Sequence, residues 1–308
     1  MIQKTSWVTP DKQDGFTKYV TLHAHIVKAV LTRERPNGWK PYQRYVYIDT
    51  HAGDGTAGEC LGSPLLFLAA IHHEGLPFDA HLIEREPGNV RALRSCLDNA
   101  GHGGTVRVYE GDNETVIHEV ILQVPQYAFG MLYMDPFGPP SSAVLTAMSV
   151  ARQRIDLMVR VPTTTQKRVR TAFDGRESLS DVIKKAAKQN WLIRAPLPSD
   201  KQQWVFLFGT NYSGLNDWKR ERFYRIDSPE GRQMFETLNY TKEEQLDLMQ
   251  PGLFQDAQVR ERSGGVCERC RVNRSTERHH LWYGPGHDPK QLLDVCHECH
   301  CQLEGKAS

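Results

Sequence analysis

Four acidic residues stand where four successive predicted strands end: Asp49, Glu84, Asp112 and Asp135. In a parallel α/β sheet, ligands bind beyond the carboxyl ends of the strands, where the strand order reverses. One acid at the end of a strand is commonplace, but solvation does not require four in a row. The pattern predicts a nucleoside-cofactor site, and ordinary loop acids are the alternative.

The segment after Asp49 is rich in glycine, with Gly53, Gly55 and Gly58 in the stretch THAGDGTAG. Glycines let a backbone approach a ligand closely and open the helix that follows. The stretch has neither the GxGxxG pattern nor the Gly-Lys-Ser/Thr of a P-loop. We expect Asp49, Gly53 and Gly55 to contribute to cofactor binding.

Two of the acids suit particular parts of a nucleoside. Glu84 follows the second predicted strand, where nucleotide-binding folds place an acid on the ribose hydroxyls. Asp112 can accept a hydrogen bond from an adenine amino group. Both are therefore predicted cofactor-binding residues.

The fourth predicted strand leads Asp135 into Pro136-Phe137-Gly138-Pro139-Pro140, which can continue as neither strand nor helix. Such a stiff turn holds a carboxylate close to an aromatic side chain. The residues alone leave two interpretations open, a catalytic turn and a plain structural turn.

The last 42 residues hold five of the seven cysteines. Cys267-x2-Cys270 and Cys296-x2-Cys299, with 25 residues between them, have the spacing of a tetrahedral zinc site. A module this short cannot fold on an apolar core alone, so the metal would supply folding energy. The odd cysteine count argues against the disulfide framework of a secreted protein.

Apolar periodicity predicts the elements that must position these residues. A helix is predicted over 12–33, and strands over 45–49, 79–86, 105–112, 128–135, 155–162 and 204–211. Strands that alternate with helical segments predict a doubly wound, Rossmann-like α/β sheet. The chain becomes polar and rich in Cys and His from about residue 255, so we expect an α/β domain over 1–254 and a zinc module over 255–308.

The net charge of +1 is unevenly distributed over the 308 residues. Residues 160–170 hold four cations and no anion, and residues 184–194 hold four more. Such runs are usually solvated faces, and a nucleic-acid footprint is the alternative. We find neither an apolar run of membrane-spanning length nor a signal peptide, and expect a soluble, cytoplasmic protein with no membrane partner.

The segments YIDTHAGDGTAGECLGSPLLFL, LIEREP, EGDN and YMDPFGPP together resemble the three-Cys-motif partner family, over about residues 12–240. That family resembles S-adenosylmethionine-dependent methyltransferases and is defined by its association with another protein. The resemblance implies a methyltransferase-like sheet, S-adenosylmethionine as cofactor, and a protein partner. His51 stands where the family pattern has an aromatic residue.

Asp135-Pro136-Phe137-Gly138 also resembles the motif of methyltransferases that act on exocyclic amino groups. Those enzymes carry Asp/Asn-Pro-Pro-aromatic, and tRNA guanosine-N2 dimethyltransferases carry Asp-Pro-Phe-Gly. A planar amine becomes nucleophilic when a carboxylate accepts its N–H bonds, and an aromatic ring can stack on the base. The resemblance implies catalytic roles for Asp135 and Phe137 on DNA or RNA. A fold that binds the cofactor without using it is an alternative.

Residues 263–305 resemble an HNH (ββα-metal) nuclease domain, with ERHHLWYG between the two cysteine pairs. The resemblance implies that His280 activates water and that His279, His300 and Glu304 hold a Mg or Mn ion. Many relatives have histidine where Glu304 stands. A zinc module that binds nucleic acid without cutting it is the alternative.

Three functional hypotheses fit these observations. The first is an S-adenosylmethionine-dependent methyltransferase that acts on a nucleobase amine, with the zinc module binding nucleic acid. The second is a Mg- or Mn-dependent HNH nuclease whose α/β domain binds a cofactor or reads the substrate. The third is a non-catalytic partner subunit.

Overall fold

The structure is a computed structural model that describes residues 9–34, 38, 40–57, 60–162, 179–194, 204–239, 261–274, 277–280 and 292–303. The chain divides into two compact units, Met1–Asn239 and Tyr240–Ser308. The predicted domain boundary after residue 254 lies outside the described residues. Within those residues, no helix combines the length and the apolar character needed to cross a membrane.

The first unit alternates strands with helices along most of its length. In chain order its elements are α1 (Thr9–Thr32), β1 (Tyr45–Asp49), β2 (Thr56–Ala57), β3 (Cys60–Leu61), α2 (Ser63–Glu74), β4 (Phe78–Glu84), α3 (Pro87–Ala100), β5 (Thr105–Glu110), α4 (Asn113–Gln123), β6 (Phe129–Met134), α5 (Ser142–Ala151), β7 (Ile155–Pro162), α6 (Leu179–Lys185), β8 (Asn190–Arg194), β9 (Trp204–Thr210), α7 (Asn216–Arg220), β10 (Phe223–Arg225) and α8 (Pro229–Asn239).

Eight of these strands form one sheet in the order β10-β8-β9-β7-β6-β1-β4-β5. The five strands from β7 to β5 are parallel, and β9, β8 and β10 extend the sheet with antiparallel pairings. The chain runs from β1 outward to β5 and returns to β6 on the other side of β1. The strand order therefore reverses between β1 and β6, which confirms the predicted doubly wound α/β fold.

Two apolar layers cover the two faces of the sheet. On the first face, residues of α1, α2, α3 and α7 pack with Tyr45 and Tyr47 of β1. On the second face, residues of α4, α5, α6 and α8 pack with Val46 and Ile48. Successive side chains of a strand point to opposite faces, so a central strand covered by helices on both sides is apolar throughout. This burial explains why YVYI reads as a continuous apolar run rather than an alternating one.

The second unit contains an antiparallel hairpin, β11 (Glu277–His280) with β12 (Leu292–Val295), followed by α9 (His297–Leu303). Its buried cluster consists of Cys267, Val295, Cys296 and Cys299, with Leu293 and Leu303 at the periphery. An apolar cluster of this size is too small to stabilise a fold without a further crosslink.

Candidate functional site

A cleft of about 430 Å³ lies at the carboxyl ends of β1, β4, β5 and β6. A volume of this order is typical of sites for small molecules and cofactors. Five of the residues predicted from sequence line it: Gly53, Glu84, Asp112, Asp135 and Phe137. Four strand ends thus converge on one cavity beside the point where the strand order reverses.

Asp49 lies beneath this cleft rather than in its lining. Its carboxylate is fully buried and accepts hydrogen bonds from the Tyr47 hydroxyl (2.9 Å), the Ser63 hydroxyl (2.6 Å) and the His51 amide (3.0 Å). The carboxylate therefore connects the end of β1 to the start of α2 and to the loop between them. Burial raises the pKa of Asp49 from 3.8 to about 6, and the three hydrogen bonds oppose that shift.

This raised pKa makes the contribution of Asp49 to stability dependent on pH. As the pH rises from about 4 to 6, the unfolded chain ionises at Asp49 before the folded protein does. Relative to Asp49→Asn, we expect the wild-type free energy of unfolding to fall by about 2 kcal/mol over this range. Urea unfolding of both proteins, followed by tryptophan fluorescence at several pH values, measures the difference. Parallel curves for the two proteins would contradict the assignment.

The loop after β1 is held by its own backbone amides. The amide of Thr50 donates to the Tyr133 carbonyl (3.0 Å), and the amide of Ala52 donates to the Ile83 carbonyl (3.0 Å). The amide of Gly53 donates to Oε2 of Glu84 at 2.8 Å, with Gly53 at a φ of +67°. Together with the bond from the His51 amide to Asp49, every amide from residue 50 to residue 53 has a partner within the protein.

Glu84 connects two loops while it faces the cleft. Its Oε1 atom accepts from the Glu86 amide (2.8 Å) and from the side-chain amide of Asn89 (3.4 Å), and Oε2 accepts from Gly53. Carboxylate oxygens have more than one lone pair each, so acceptor capacity remains for a ligand hydroxyl. The carboxylate lies in the cleft lining, as the predicted ribose contact requires.

Gly55 is needed for packing and does not line the cleft. It has a φ of +86°, and a Cβ atom there would lie 3.2 Å from Cδ1 of Leu93 and 3.3 Å from Cβ of Cys96. The expectation that the glycines open the next helix is wrong, because the β2–β3 hairpin intervenes and α2 begins only at Ser63. Gly58 lies outside the described residues.

Asp112 lines the cleft and also caps α4. Its Oδ1 atom accepts from the Glu114 amide at 2.9 Å, which satisfies one of the unpaired N–H groups of the first helical turn. The adjacent Asn113 extends its side-chain amide to Nε2 of His51 at 3.1 Å, and Nδ1 of His51 lies 2.9 Å from the Thr50 hydroxyl.

The contact between His51 and Asn113 is a feature that the sequence interpretation missed. Burial lowers the pKa of His51, so the ring is uncharged near neutral pH. The one signal in the sequence was the departure at His51 from the aromatic residue of the family pattern.

Asp135 is paired with an arginine from the neighbouring strand. Its Oδ1 atom lies 2.6 Å from a guanidinium nitrogen of Arg160, and Oδ2 lies 3.3 Å from the Tyr133 hydroxyl. The two charged side chains are only 12% and 17% exposed, respectively. Arg160 is therefore largely buried beside the cleft, so the interpretation of residues 160–170 as a solvated face or a nucleic-acid footprint is wrong at this position.

The turn that follows Asp135 presents Phe137 to solvent. Pro136 and Pro140 are buried, whereas Phe137 between them is 87% exposed. The chain then enters α5 at Ser141, whose hydroxyl accepts from the Val144 amide (3.3 Å) and donates to Glu114 (2.7 Å). Proline rings restrict the backbone on both sides, so the aromatic ring is held at the rim of the cleft.

The second basic run is also partly internal. Lys184 and Lys185 are exposed, but Lys188 is buried and donates to the carbonyls of Gln153 (2.9 Å) and Ile155 (2.7 Å). Arg194 is buried with its guanidinium 5.4 Å from the centre of the Tyr19 ring. Half of the cations in residues 184–194 therefore cannot reach a nucleic acid. Residues 163–170 lie outside the described part of the chain.

Four cysteines converge in the second unit. The sulfur atoms of Cys267, Cys270, Cys296 and Cys299 all lie within 4.8 Å of one another, and the pair from Cys270 and Cys296 is 4.0 Å apart. Tetrahedral zinc with bonds of about 2.3 Å to sulfur separates its ligands by about 3.8 Å. The four thiols therefore fit a zinc ion, which would hold the segment from Cys267 to Cys270 against the start of α9.

The residues predicted for a second metal are only partly described. His279 and His280 lie on β11, opposite Leu293 and Leu292 of β12, and their side chains are outside the described part of the structure. His300 lies half-buried on α9, where its amide donates to the Cys296 carbonyl (3.0 Å). Glu304 lies outside the described residues.

Comparison with known proteins gives structural likenesses only. No protein-family model and no curated protein matches the sequence. Among solved structures, protein LPL1258 from Legionella pneumophila is 14% identical, with a TM-score of 0.42 over 73% of this chain and 90% of that chain. M. jannaschii TYW2 in complex with AdoMet is 15% identical, with a TM-score of 0.37 over 64% and 76%.

Fibrillarin from Aeropyrum pernix, with natively bound S-adenosyl-L-methionine, is 13% identical, with a TM-score of 0.38 over 61% of this chain and 74% of that chain. Identities and TM-scores this low assign neither a family nor an activity to this chain. The resemblance to the three-Cys-motif partner family accordingly stays an expectation.

Proposed function

We propose that the cleft binds S-adenosylmethionine and that the protein transfers its methyl group to an amino group of a nucleic-acid base. One observation carries the proposal: Glu84, Asp112 and the Asp135–Phe137 turn line the same cavity beside the strand-order reversal. The cavity would thus bring three carboxylates to the cofactor and its substrate. One would bind the ribose hydroxyls, one the adenine amino group and one the substrate amine.

The charge and hydrogen bonding of the cleft favour a nucleoside without phosphates. The amides of residues 50–53 are already bonded within the protein, so they are not free to bind a pyrophosphate. Among the described residues that line the cleft, four are acids and one is an arginine, Arg85. This balance repels phosphate and attracts a cation. S-adenosylmethionine is a phosphate-free nucleoside with a positively charged sulfonium, and it therefore suits this cleft better than a dinucleotide.

Asp135 and Phe137 would handle the methyl acceptor. Bound S-adenosylmethionine supplies an electrophilic methyl group. The ion pair with Arg160 holds Asp135 in a fixed orientation, and carboxylate oxygens are acceptors for the N–H bonds of an amine. Exposed Phe137 offers a flat surface for the base that carries the amine.

Calorimetric titration with S-adenosylmethionine tests the first half of this proposal. We expect micromolar binding by the wild-type protein and binding about 10- to 100-fold weaker in Glu84→Gln, because an amide there accepts fewer hydrogen bonds from the ribose. Glu110→Gln is the matched control, since Glu110 ends the neighbouring strand β5 but is exposed and outside the cleft. An absence of heat from a folded sample would overturn the proposal.

A metal-dependent nuclease is the second candidate, and the described backbone of the second unit favours it. A hairpin that carries His279 and His280 is followed directly by a helix that carries His300, in the strand-strand-helix order of an HNH domain. We expect Mg- or Mn-dependent nicking of DNA that is lost in His280→Ala with zinc content unchanged. His297→Ala, an exposed position on α9, is the control. Nicking that survives His280→Ala would contradict this function.

A further inference from the structure

A second cavity, of about 310 Å³, lies in the first unit at the opposite edge of the sheet. It is bounded by α1, by the start of β7 and by the end of β9. Asp156 lines it, and Arg160, which pairs with Asp135 of the cofactor cleft, lies four residues further along the same strand. A strand rises about 3.3 Å per residue, so roughly 13 Å of strand separates Asp156 from Arg160.

Apolar side chains form two walls of this cavity, and one of the walls is aromatic. Ile26 and Val30 of α1 form one side. Phe208 and Trp218 form the other, with their rings stacked at a centroid distance of 4.1 Å and an interplanar angle of 25°. Walls of this kind favour a planar ligand, because aromatic rings pack best face to face with an offset or edge to face.

A buried hydrogen-bonded chain contributes His23 and Asp156 to the lining. His23 is 2% exposed, its Nδ1 atom lies 2.6 Å from the Tyr45 hydroxyl, and its Nε2 atom lies 3.0 Å from Oδ2 of Asp156. Burial raises the pKa of Tyr45, so the phenol keeps its proton and can donate to Nδ1. Both ring nitrogens of His23 have partners within the protein, so the imidazole has no further hydrogen-bonding capacity for a ligand.

The other oxygen of Asp156 is the group that can recognise a ligand. Within the described residues, Oδ1 of Asp156 accepts no hydrogen bond, although the side chain is only 16% exposed and lines the cavity. The nearby ammonium of Lys188 donates to the carbonyls of Gln153 and Ile155. A carboxylate oxygen of a largely buried side chain is stabilised by a donor, and a ligand N–H group would provide one.

The geometry points to a second binding site here, for a small planar nitrogen heterocycle whose N–H group donates to Oδ1 of Asp156. The lining favours an uncharged ligand, because Gln153, Gln189 and Asn211 contribute amide groups and the guanidinium of Arg154 offsets the charge of Asp156. Asn211 is itself fixed, since it accepts from the Gln189 amide (2.9 Å) and donates to the Gln153 carbonyl (3.0 Å). This site is independent of the proposed methyl transfer.

Two probes of the same shape test the assignment on the full-length protein. Indole carries an N–H donor, and benzofuran replaces that group with an oxygen that cannot donate. In ligand-observed NMR titrations we expect saturable binding of indole with a dissociation constant below about 1 mM, and binding of benzofuran at least about tenfold weaker. No saturable binding of indole, or equal binding of both probes, overturns the proposal.

Variants locate the bound probe. Val30→Phe fills the cavity from α1, and Asp156→Asn turns an amide donor or a weaker acceptor toward the ligand, so each should lower indole affinity about tenfold or more. Glu84→Gln, in the other cleft, should bind indole as the wild type does. Indole binding lost in Glu84→Gln but kept in Val30→Phe and Asp156→Asn overturns the proposal. Unchanged melting temperatures show that the variants are folded.

Discussion

Replacement of Asp135 by alanine is expected to slow methyl transfer about 10³-fold while S-adenosylmethionine affinity changes less than about threefold. The substituted protein keeps the Glu84 and Asp112 contacts but loses the acceptor that orients the substrate amine. Single-turnover transfer of a labelled methyl group to unmethylated DNA, tRNA and other RNA measures the rate, and calorimetry measures the affinity. Transfer that is unaffected by Asp135→Ala would contradict the assigned role.

Two further variants separate chemistry from folding in this experiment. Asp135→Asn keeps a carbonyl acceptor of the same shape, so we expect a smaller loss of rate than with alanine. Asp135→Ala leaves the largely buried guanidinium of Arg160 without its carboxylate, which costs stability. Combination with Arg160→Met removes that uncompensated charge and should restore stability without restoring transfer. A wild-type protein that binds the cofactor tightly and methylates no nucleic acid would contradict amine methylation itself.

Removal of zinc is expected to unfold the second unit and leave the first unit folded. Structural zinc contributes about 10–16 kcal/mol to small zinc modules, far more than a cluster of four buried residues can replace. We expect one zinc per chain by elemental analysis, and after chelation a loss of amide-exchange protection over β11, β12 and α9. Protection over β1, β4 and β6 should remain, because those strands have their own core.

Two single cysteine variants test this prediction, one inside the four-sulfur cluster and one outside it. Cys267→Ser removes one of the four converging sulfurs and should lower zinc occupancy and unfold the unit. Cys301→Ser changes a cysteine of α9 that is buried but outside the four-sulfur cluster, and zinc should be retained. If amide protection over β11, β12 and α9 survives complete zinc removal, the metal has no structural role.

The parts of the fold that follow local rules could be predicted from the sequence. Apolar runs marked β1, β4, β6 and β7, and the acids that follow parallel strands had to meet at one edge of the sheet. The sequence did not predict strands β8 and β10, which pair antiparallel with their neighbours in the sheet. Pairing between distant segments leaves no local periodicity in the sequence.

The charges of the site were harder to interpret. Arg160 stands in a run without acids, so the sequence suggested a solvated or nucleic-acid-binding surface, yet its counter-charge is 25 residues away on the adjacent strand. Asp49 matched the predicted cofactor pattern, but its three partners include Tyr47 and Ser63, which only the fold brings together. Proximity in space, rather than residue type, distinguishes a structural acid from a ligand-binding one.

The four bonded amides of residues 50–53 have a consequence for the entropy of ligand binding. Fixing the backbone of a residue costs about 1–2 kcal/mol, and a loop that orders only around its ligand loses that amount from the affinity. Here Tyr133, Ile83, Asp49 and Glu84 already hold the loop through its own N–H groups. The wall of the cleft is thus preorganised, and the free energy of each new contact can go into affinity instead of loop ordering.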